Sequence, residues 1–577
     1  MDPAASVRLP AWALTLQRRL RQRGTNSFIL HGPGVRDIHP LGARRHGTIG
    51  EFLAEVIFSD RAVIIRYDRG AGIRFTDVQA EQDFRTVLKA YDKLGGTSLA
   101  QTQPRDPDRA LQLLETYLQY QLNENPRFSA ALIVDYGETV APAGDPGQLP
   151  VEDRNSIVTL RRWAADPLFL RRQVTFCLVS ESTGALNESL VADARTFELA
   201  VPVPDEAERH AYLTGRGVTP ATFSRIDARK VAVLTAGLTR LDLESLLAEA
   251  EAGGAALDPD ALTREKKRLI AEASGGLLSF LTSNIGLDAV AGHEGAKALL
   301  RETAAALRQG RLDVVPMGFL VCGPVGTGKS FMVRCFAAEI GIPVVELLNF
   351  RSMWQGQTES NLERILGLLD ALGPVAVVVD EADAALGSRE MRGADSGVSE
   401  RVFASLAAFM GDTRRRGKVI WFLMTSRPDL VPVDLKRQGR AEEHIALFPP
   451  ATPEERALVF ESLRARLQIP LEQGLQAAAL FAEVPHPMSP ADIEAVLVRA
   501  SRRMAIESRP ALGADLLREL IADFQPPAYP VEIEYQRLIA AFECTSRRLL
   551  PPDLATLPHE AIAQRLAELR AAMGDGR

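Results

Sequence analysis

The 577-residue chain is poor in cysteine, in lysine and in aromatic residues. Its four cysteines, Cys177, Cys322, Cys335 and Cys544, stand far apart with no C-x-x-C pair, which excludes a disulfide framework and a short-spaced zinc site. No apolar run approaches the ~18 residues of a membrane span. The first residues, MDPAASVRLPAW, lack the charged-then-apolar order of a secretory leader, so a cytoplasmic, reducing compartment is expected. Basic charge is in deficit: 67 Lys and Arg face 74 Asp and Glu, for a net charge of −7. Bulk electrostatics therefore disfavour nucleic acid as a partner. Disorder is excluded by 46% hydrophobic and 24% charged residues. Only nine of the basic residues are lysines. With abundant alanine this fits the codon bias of a GC-rich genome, and it makes a lysine inside a motif informative.

What is present is an alternation of strands and helices, given twice. The short β-branched runs AVIIRY (62–67), AALIVDY (130–136) and VTFCLV (174–179) read as strands, with helical spacing at 51–57, 78–94 and 108–122. Residues 205–252 read as helical throughout. A Gly- and Pro-punctuated connector covers 253–284. The alternation restarts with strands at 318–322, 343–348, 375–380 and 419–425, and 453–525 is helical again. Strands alternating with helices predict α/β units with parallel sheets. The boundaries are a first α/β domain at 1–200, a first helical lid at 201–252, the connector at 253–284, a second α/β domain at 285–450, a second lid at 451–525 and a C-terminal appendage at 526–577, marked by Pro526-Pro527 and Pro551-Pro552.

The run Gly323-Pro324-Val325-Gly326-Thr327-Gly328-Lys329-Ser330 matches G-x-x-x-x-G-K-[ST], after the strand GFLVC and before a helix opening at Phe331. Glycines let successive backbone N–H groups surround phosphates, and the helix start adds partial positive charge. Lys329 supplies a full charge to the terminal phosphates, and the Ser330 hydroxyl suits Mg²⁺. Further on, an apolar strand ends in Asp380 and Glu381. Asp380 is placed for the metal and Glu381 for the attacking water.

With these residues the sequence resembles the AAA+ ATPases, in the AAA branch that remodels proteins, strongly over about 285–525. Asp288-Ala-Val290-Ala291-Gly292 is similar to the family's opening turn beside the adenine. Thr425-Ser426-Arg427-Pro428-Asp429 resembles T-N-R-P-D, with Ser426 at the γ-phosphate sensor in place of Asn. Serine reaches less far and has no amide donors, so slower turnover is expected. Leu435-Lys436-Arg437-Gln438-Gly439-Arg440 resembles L-x-R-P-G-R, with Gln438 in place of proline. The resemblance implies that Arg437 and Arg440 reach a neighbour's γ-phosphate, hence a head-to-tail homo-oligomer, usually a hexamer. Ser489-Pro490-Ala491-Asp492-Ile493 resembles the S-G-A-D-I turn of the lid. Trp354, in MWQGQTE, resembles the aromatic of a central pore loop that grips peptides without reading sequence. Residues 387–400 would form a second pore loop. The basic run Arg414–Lys418 lacks interleaved aromatics and reads as a turn.

The first half looks like the same module without its chemistry. The segment Asp68–Gly72, after AVIIRY, stands where a phosphate loop is expected, without G-K-[ST]. Asp135 and Tyr136 stand for the acid pair. The arrangement resembles the tandem AAA proteins of cyanobacteria and plastids. The fold expected is therefore two tandem P-loop modules, each a parallel sheet flanked by helices with a helical lid, the first degenerate. The function expected is Mg²⁺-ATP hydrolysis in the second module, by a ring that remodels, unfolds or threads protein substrates. The alternatives are an ATP-dependent assembly switch of a bacterial complex that threads nothing, and, disfavoured by charge, a nucleic-acid motor.

Overall fold

The structure, a computed structural model, describes residues 9–22, 24–42, 45–95, 104–145, 147–218, 227–253, 259–348, 358–386, 396–484, 487–525 and 529–574. They form two compact units, Met1–Gly275 with Gln355–Leu372, and Gly276–Trp354 with Gly373–Arg577.

In the first unit the strands are β1 (Ser27–His31), β2 (His39–Pro40), β3 (His46–Gly47), β4 (Val63–Asp68), β5 (Gly72–Phe75), β6 (Ala130–Val134), β7 (Val174–Val179) and β8 (Thr196–Ala200). Six make one sheet in the order β5-β4-β6-β7-β1-β8, and β2 and β3 pair as a separate ribbon. Every neighbour in the sheet is parallel except the β4–β5 hairpin. Strands β6 and β7 are buried along their whole length, as their unbroken apolar runs require when helices cover both faces. Leu132 and Val134 enter one core, with the helix Pro107–Glu124, while Ala131 and Ile133 enter the other, with the helix Ala11–Gln22. After β8 come helices Glu206–Gly215, Ala228–Leu234, Arg240–Gly253 and Pro259–Ala273. The unit also takes in the helix Thr358–Ala371, whose Glu363 carboxylate accepts the Thr183 N–H at 3.0 Å.

The second unit repeats the plan with β9 (Leu278–Leu281), β10 (Gly318–Cys322), β11 (Val344–Leu347), β12 (Val375–Val379), β13 (Val419–Thr425) and β14 (Glu443–Ala446), in the order β14-β10-β13-β12-β11-β9. Only β9 is antiparallel. One core lies between the sheet and the helices Glu294–Arg308 and Lys329–Glu339. A separate core holds the lid helices Pro453–Arg466, Ala477–Ala482, Pro490–Glu507 and Ala514–Asp523.

The two orders match strand for strand, β1 with β10, β4 with β11, β6 with β12, β7 with β13 and β8 with β14. That corrects one expectation. Asp68–Gly72 is the tight turn of the β4–β5 hairpin, closed by Asp68 Oδ1 accepting the Ala71 N–H at 2.6 Å. The phosphate-loop position of the first unit follows β1 instead, at Gly32–Arg36. The C-terminal appendage packs on the second sheet. Helices Pro530–Glu543 and His559–Ala572 share a core with Cys322, Ala446 and Phe448 of the sheet edge.

Candidate nucleotide-binding site

The site is built at the C-terminal ends of β10, β12 and β13. Strand β10 ends at Cys322, and the chain turns through Gly323, Gly326 and Gly328, all at positive φ, into the helix Lys329–Glu339. Glycine is required at 323, where a Cβ would strike the Leu447 carbonyl. It is required again at 326, where a Cβ would lie 2.9 Å from Ser489 Oγ and 3.1 Å from Ala491 Cβ of the lid. The loop and lid touch there through the Ala491 N–H on the Gly326 carbonyl at 3.2 Å. Thr327 Oγ1 donates to the Pro324 carbonyl at 2.9 Å, which closes the loop on itself.

The Lys329 ammonium folds onto the loop, donating to the carbonyls of Gly323 (2.9 Å) and Pro324 (3.0 Å) and to Ser426 Oγ (3.2 Å). Burial pushes it down to about 8, against the pull of Cys322, Asp380 and Asp383. A buried cation partnered mainly by neutral oxygens is a site that favours an incoming anion. Ser330 Oγ donates to Asp380 Oδ2 at 2.9 Å. Two hard oxygens from different elements thus stand within reach of one small ion, the donor set that suits Mg²⁺. Among the described residues no three His, Cys, Asp or Glu converge on a metal position, so an ion here would draw its other ligands from phosphate and water.

Glu381 follows at φ 49, a left-handed conformation that costs a non-glycine residue about 1–2 kcal/mol. Its N–H donates to Asp380 Oδ1 at 2.9 Å, and its carbonyl accepts from Ala384 and Ala385 to start the helix Ala382–Leu386. The turn leaves the Glu381 carboxylate exposed beside the Ser330–Asp380 pair, where it can take a proton from water. Sequence reasoning missed Asp383, which accepts from Thr425 Oγ1 at 2.7 Å and so ties the β13 end to this turn. Its signal was present, as the second aspartate of D-E-A-D.

Val290 packs in the sheet core and Ala291 against the lid core, so the 288–292 turn touches both. Gly292 there has φ 70. The Phe331 ring is capped by the Arg466 guanidinium of the lid at 4.9 Å. Arg437 and Arg440 differ. The Arg437 side chain is 59% exposed beside Asp434, whereas that of Arg440 is 12% exposed and donates to the Asp434 carbonyl at 2.7 Å. In the basic run, Arg414 and Arg415 hold Asp412, and Arg416 holds Glu442. Trp354 and residues 387–395 lie outside the described residues.

The same positions in the first unit carry other chemistry. Gly32 repeats the positive φ of Gly323, and Tyr136 repeats the left-handed turn of Glu381 at φ 58. The loop, however, does not run into a helix. Residues 37–48, with the β2–β3 ribbon, separate it from the helix that starts at Ile49. Asp37, its side chain fully buried, accepts from the Arg240 guanidinium (2.9 Å) and from the N–H groups of Arg240 (2.8 Å) and Leu241 (3.2 Å). A carboxylate thus sits on the start of a lid helix, where the phosphate-loop position meets it. Burial pushes that carboxyl up to about 6, opposed by Arg240. Asp135 is tied to Arg66 at 2.6 Å.

The comparisons with known proteins divide along the same line. Residues 2–202 match the family model "AAA+ chaperone, N-terminal Rossmann-like domain", residues 207–275 "AAA+ chaperone, second helical domain", and residues 319–448 "ATPase family associated with various cellular activities (AAA)". The Cell division cycle protein 48 homolog of Archaeoglobus fulgidus is 27% identical over 401 residues, 63% of this chain and 53% of the relative. Peroxisomal ATPase PEX6 of Arthrobotrys oligospora is 29% identical over 356 residues, 53% of this chain and 29% of the relative. The AAA domain-containing protein ycf46 of Trieres chinensis is 29% identical over 206 residues, 35% of this chain and 40% of the relative. The chain thus spans about half the length of the archaeal relative and less of the other two. No helix among the described residues is long and apolar enough to cross a membrane. The chain belongs to the AAA+ ATPases, with a Rossmann-like and a helical domain of the AAA+ chaperone type ahead of its AAA ATPase domain.

Proposed function

We propose that the chain is a Mg²⁺-ATP hydrolase that works as a head-to-tail ring, hydrolyses ATP in its second unit only, and remodels protein substrates in the cytoplasm. The reading is carried by the convergence of Lys329, Ser330, Asp380, Glu381 and Ser426 at three adjacent strand ends. In it, the N–H groups of 326–330 and Lys329 bind and orient the phosphates. Ser330 and Asp380 would hold Mg²⁺, which would supply charge neutralisation at the phosphoryl group. Glu381 accepts the proton of the attacking water, and Ser426 and Lys329 fix the terminal phosphate.

In the first unit the turn Gly32–Arg36 carries no lysine, Tyr136 stands in the place of Glu381, and the buried Asp37–Arg240 pair follows directly on that turn. We therefore assign it no hydrolysis. We assign its lid to 201–252 and that of the second unit to 451–525. The exposure of Arg437 supports a role across a subunit contact, with Arg440 holding the same segment in shape. Remodelling is supported by the AAA+ chaperone type of the first two domains. Threading through a pore lined by Trp354 is the finer form of this reading. Trp354→Ala tests it. Lost processing of an unfoldable protein substrate with ATPase intact supports threading, and unchanged processing leaves the switch that threads nothing.

A further inference from the structure

The last 50 or so residues, 526–577, match none of the three family models. Their first helix, Pro530–Glu543, nevertheless reaches three loops of the nucleotide site, one after another. Near its middle, Gln536 Oε1 accepts the Val325 N–H of the phosphate loop at 3.0 Å. One residue before, Tyr535 is wholly buried, and its hydroxyl donates to Asp429 Oδ2 at 2.9 Å. Asp429 also holds the Arg427 guanidinium through two bonds of 3.0 Å, so Tyr535 anchors the turn that begins at Thr425 and Ser426. The Tyr535 hydroxyl in turn accepts from Arg570 Nε at 3.0 Å, a clamp from the final helix. At the end of the helix, Glu543 pairs with Lys436, and its carbonyl meets His444 Nδ1 at 2.7 Å. Lys436 and His444 flank the segment that carries Arg437 and Arg440.

We propose that the helix Pro530–Glu543 is a built-in brace of the nucleotide site. Gln536 positions the phosphate loop, Tyr535 positions the strand end that bears Ser426, and Glu543 positions the arginine segment. The apolar underside of the helix makes the brace stiff: Leu538, Ile539 and Ala540 share a core with Cys322, at the end of the strand that carries the phosphate loop, and with Ala446 and Phe448 at the end of the neighbouring edge strand. Val325 is itself exposed, so without Gln536 its N–H would face water and the loop would lose its one described tie to this helix.

The inference rests on the ATPase reading of this site, and two readouts separate them. The first is hydrogen–deuterium exchange of the phosphate-loop peptide in the nucleotide-free full chain. The second is steady-state ATPase. Gln536→Ala is expected to speed exchange at the loop and raise KM for ATP about three- to tenfold, with kcat and Tm nearly unchanged. Gln536→Glu keeps an acceptor oxygen and is expected to restore slow exchange. Tyr535→Phe, which keeps the packing, is expected to lower kcat about three- to tenfold at unchanged KM. If the wild type hydrolyses ATP but exchange and KM stay put in Gln536→Ala, the brace is refuted and the site reading survives. If the wild type does not hydrolyse ATP while exchange still rises in Gln536→Ala and falls again in Gln536→Glu, the brace stands and the site reading falls. A parallel loss of Tm, kcat and KM in both variants would reduce the helix to ordinary packing and overturn the proposal.

Discussion

The two units share a strand order, a positive-φ glycine after β1 and β10 and a left-handed residue after β6 and β12, yet they place different side chains there, Tyr136 in the first where the second has Glu381. Tyr136 and Glu381 occupy the same backbone turn, at φ 58 and φ 49. Asp135 is neutralised by Arg66 from the next strand, whereas Asp380 is held by a serine that leaves its charge available for an ion. The lesson is that the strained turn belongs to the scaffold. It is kept where there is no acid to present, so it does not by itself mark a reactive site.

The strongest way to sharpen the comparison is to make the second unit resemble the first. Glu381→Gln removes the base and is expected to cut ATP turnover by about 10²–10⁴ while nucleotide still binds, read as phosphate release beside a binding titration. Arg437→Ala is expected to cost up to about 10³–10⁵ in kcat at unchanged Tm if the finger acts between subunits. Arg440→Ala should lower Tm as well, because its side chain is folded into its own segment. The dependence of rate on protein concentration belongs to the same experiment: a rate per chain that rises with concentration, and collapses without Arg437, places the completed pocket between copies.

The next effect lies in the first unit. Asp37→Ala strands a buried Arg240 and is expected to cost about 3–5 kcal/mol in unfolding free energy, while Asp37→Leu with Arg240→Leu should recover only part of that, because the N–H groups of residues 240 and 241 still lose their acceptor. ATPase should survive the double change, and a fall in turnover would mean that the first unit takes part in the chemistry. The smallest effect compares the lids. Thr239 and Ser489 cap the lid helices Arg240–Gly253 and Pro490–Glu507 alike, each with its hydroxyl accepting the N–H of the acid three residues on and that acid accepting back. Alanine at either should cost about 1 kcal/mol, and unequal costs would break the equivalence.

Legibility followed the same division. Lys329, Ser330, Asp380 and Glu381 were readable because phosphate chemistry demands those residue types at short spacing after strands. Strand β1 was missed because SFILH is short and runs into Gly-Pro-Gly, so the more β-branched AVIIRY took its place. The line SFILHGPG set against GFLVCGPV would have corrected that. The Asp37–Arg240 pair and the Val325–Gln536 contact join positions 203 and 211 residues apart. Neither has a local pattern: one depends on burial, and the other uses a backbone N–H that any residue but proline supplies.

The central claim, one working nucleotide site per chain, is tested most directly by counting bound ATP on the Glu381→Gln protein, with and without Lys329→Ala. One nucleotide per chain, falling to none when Lys329 is removed, is the expected result. Two per chain, or one that survives the loss of Lys329, would put a nucleotide in the first unit and contradict the account.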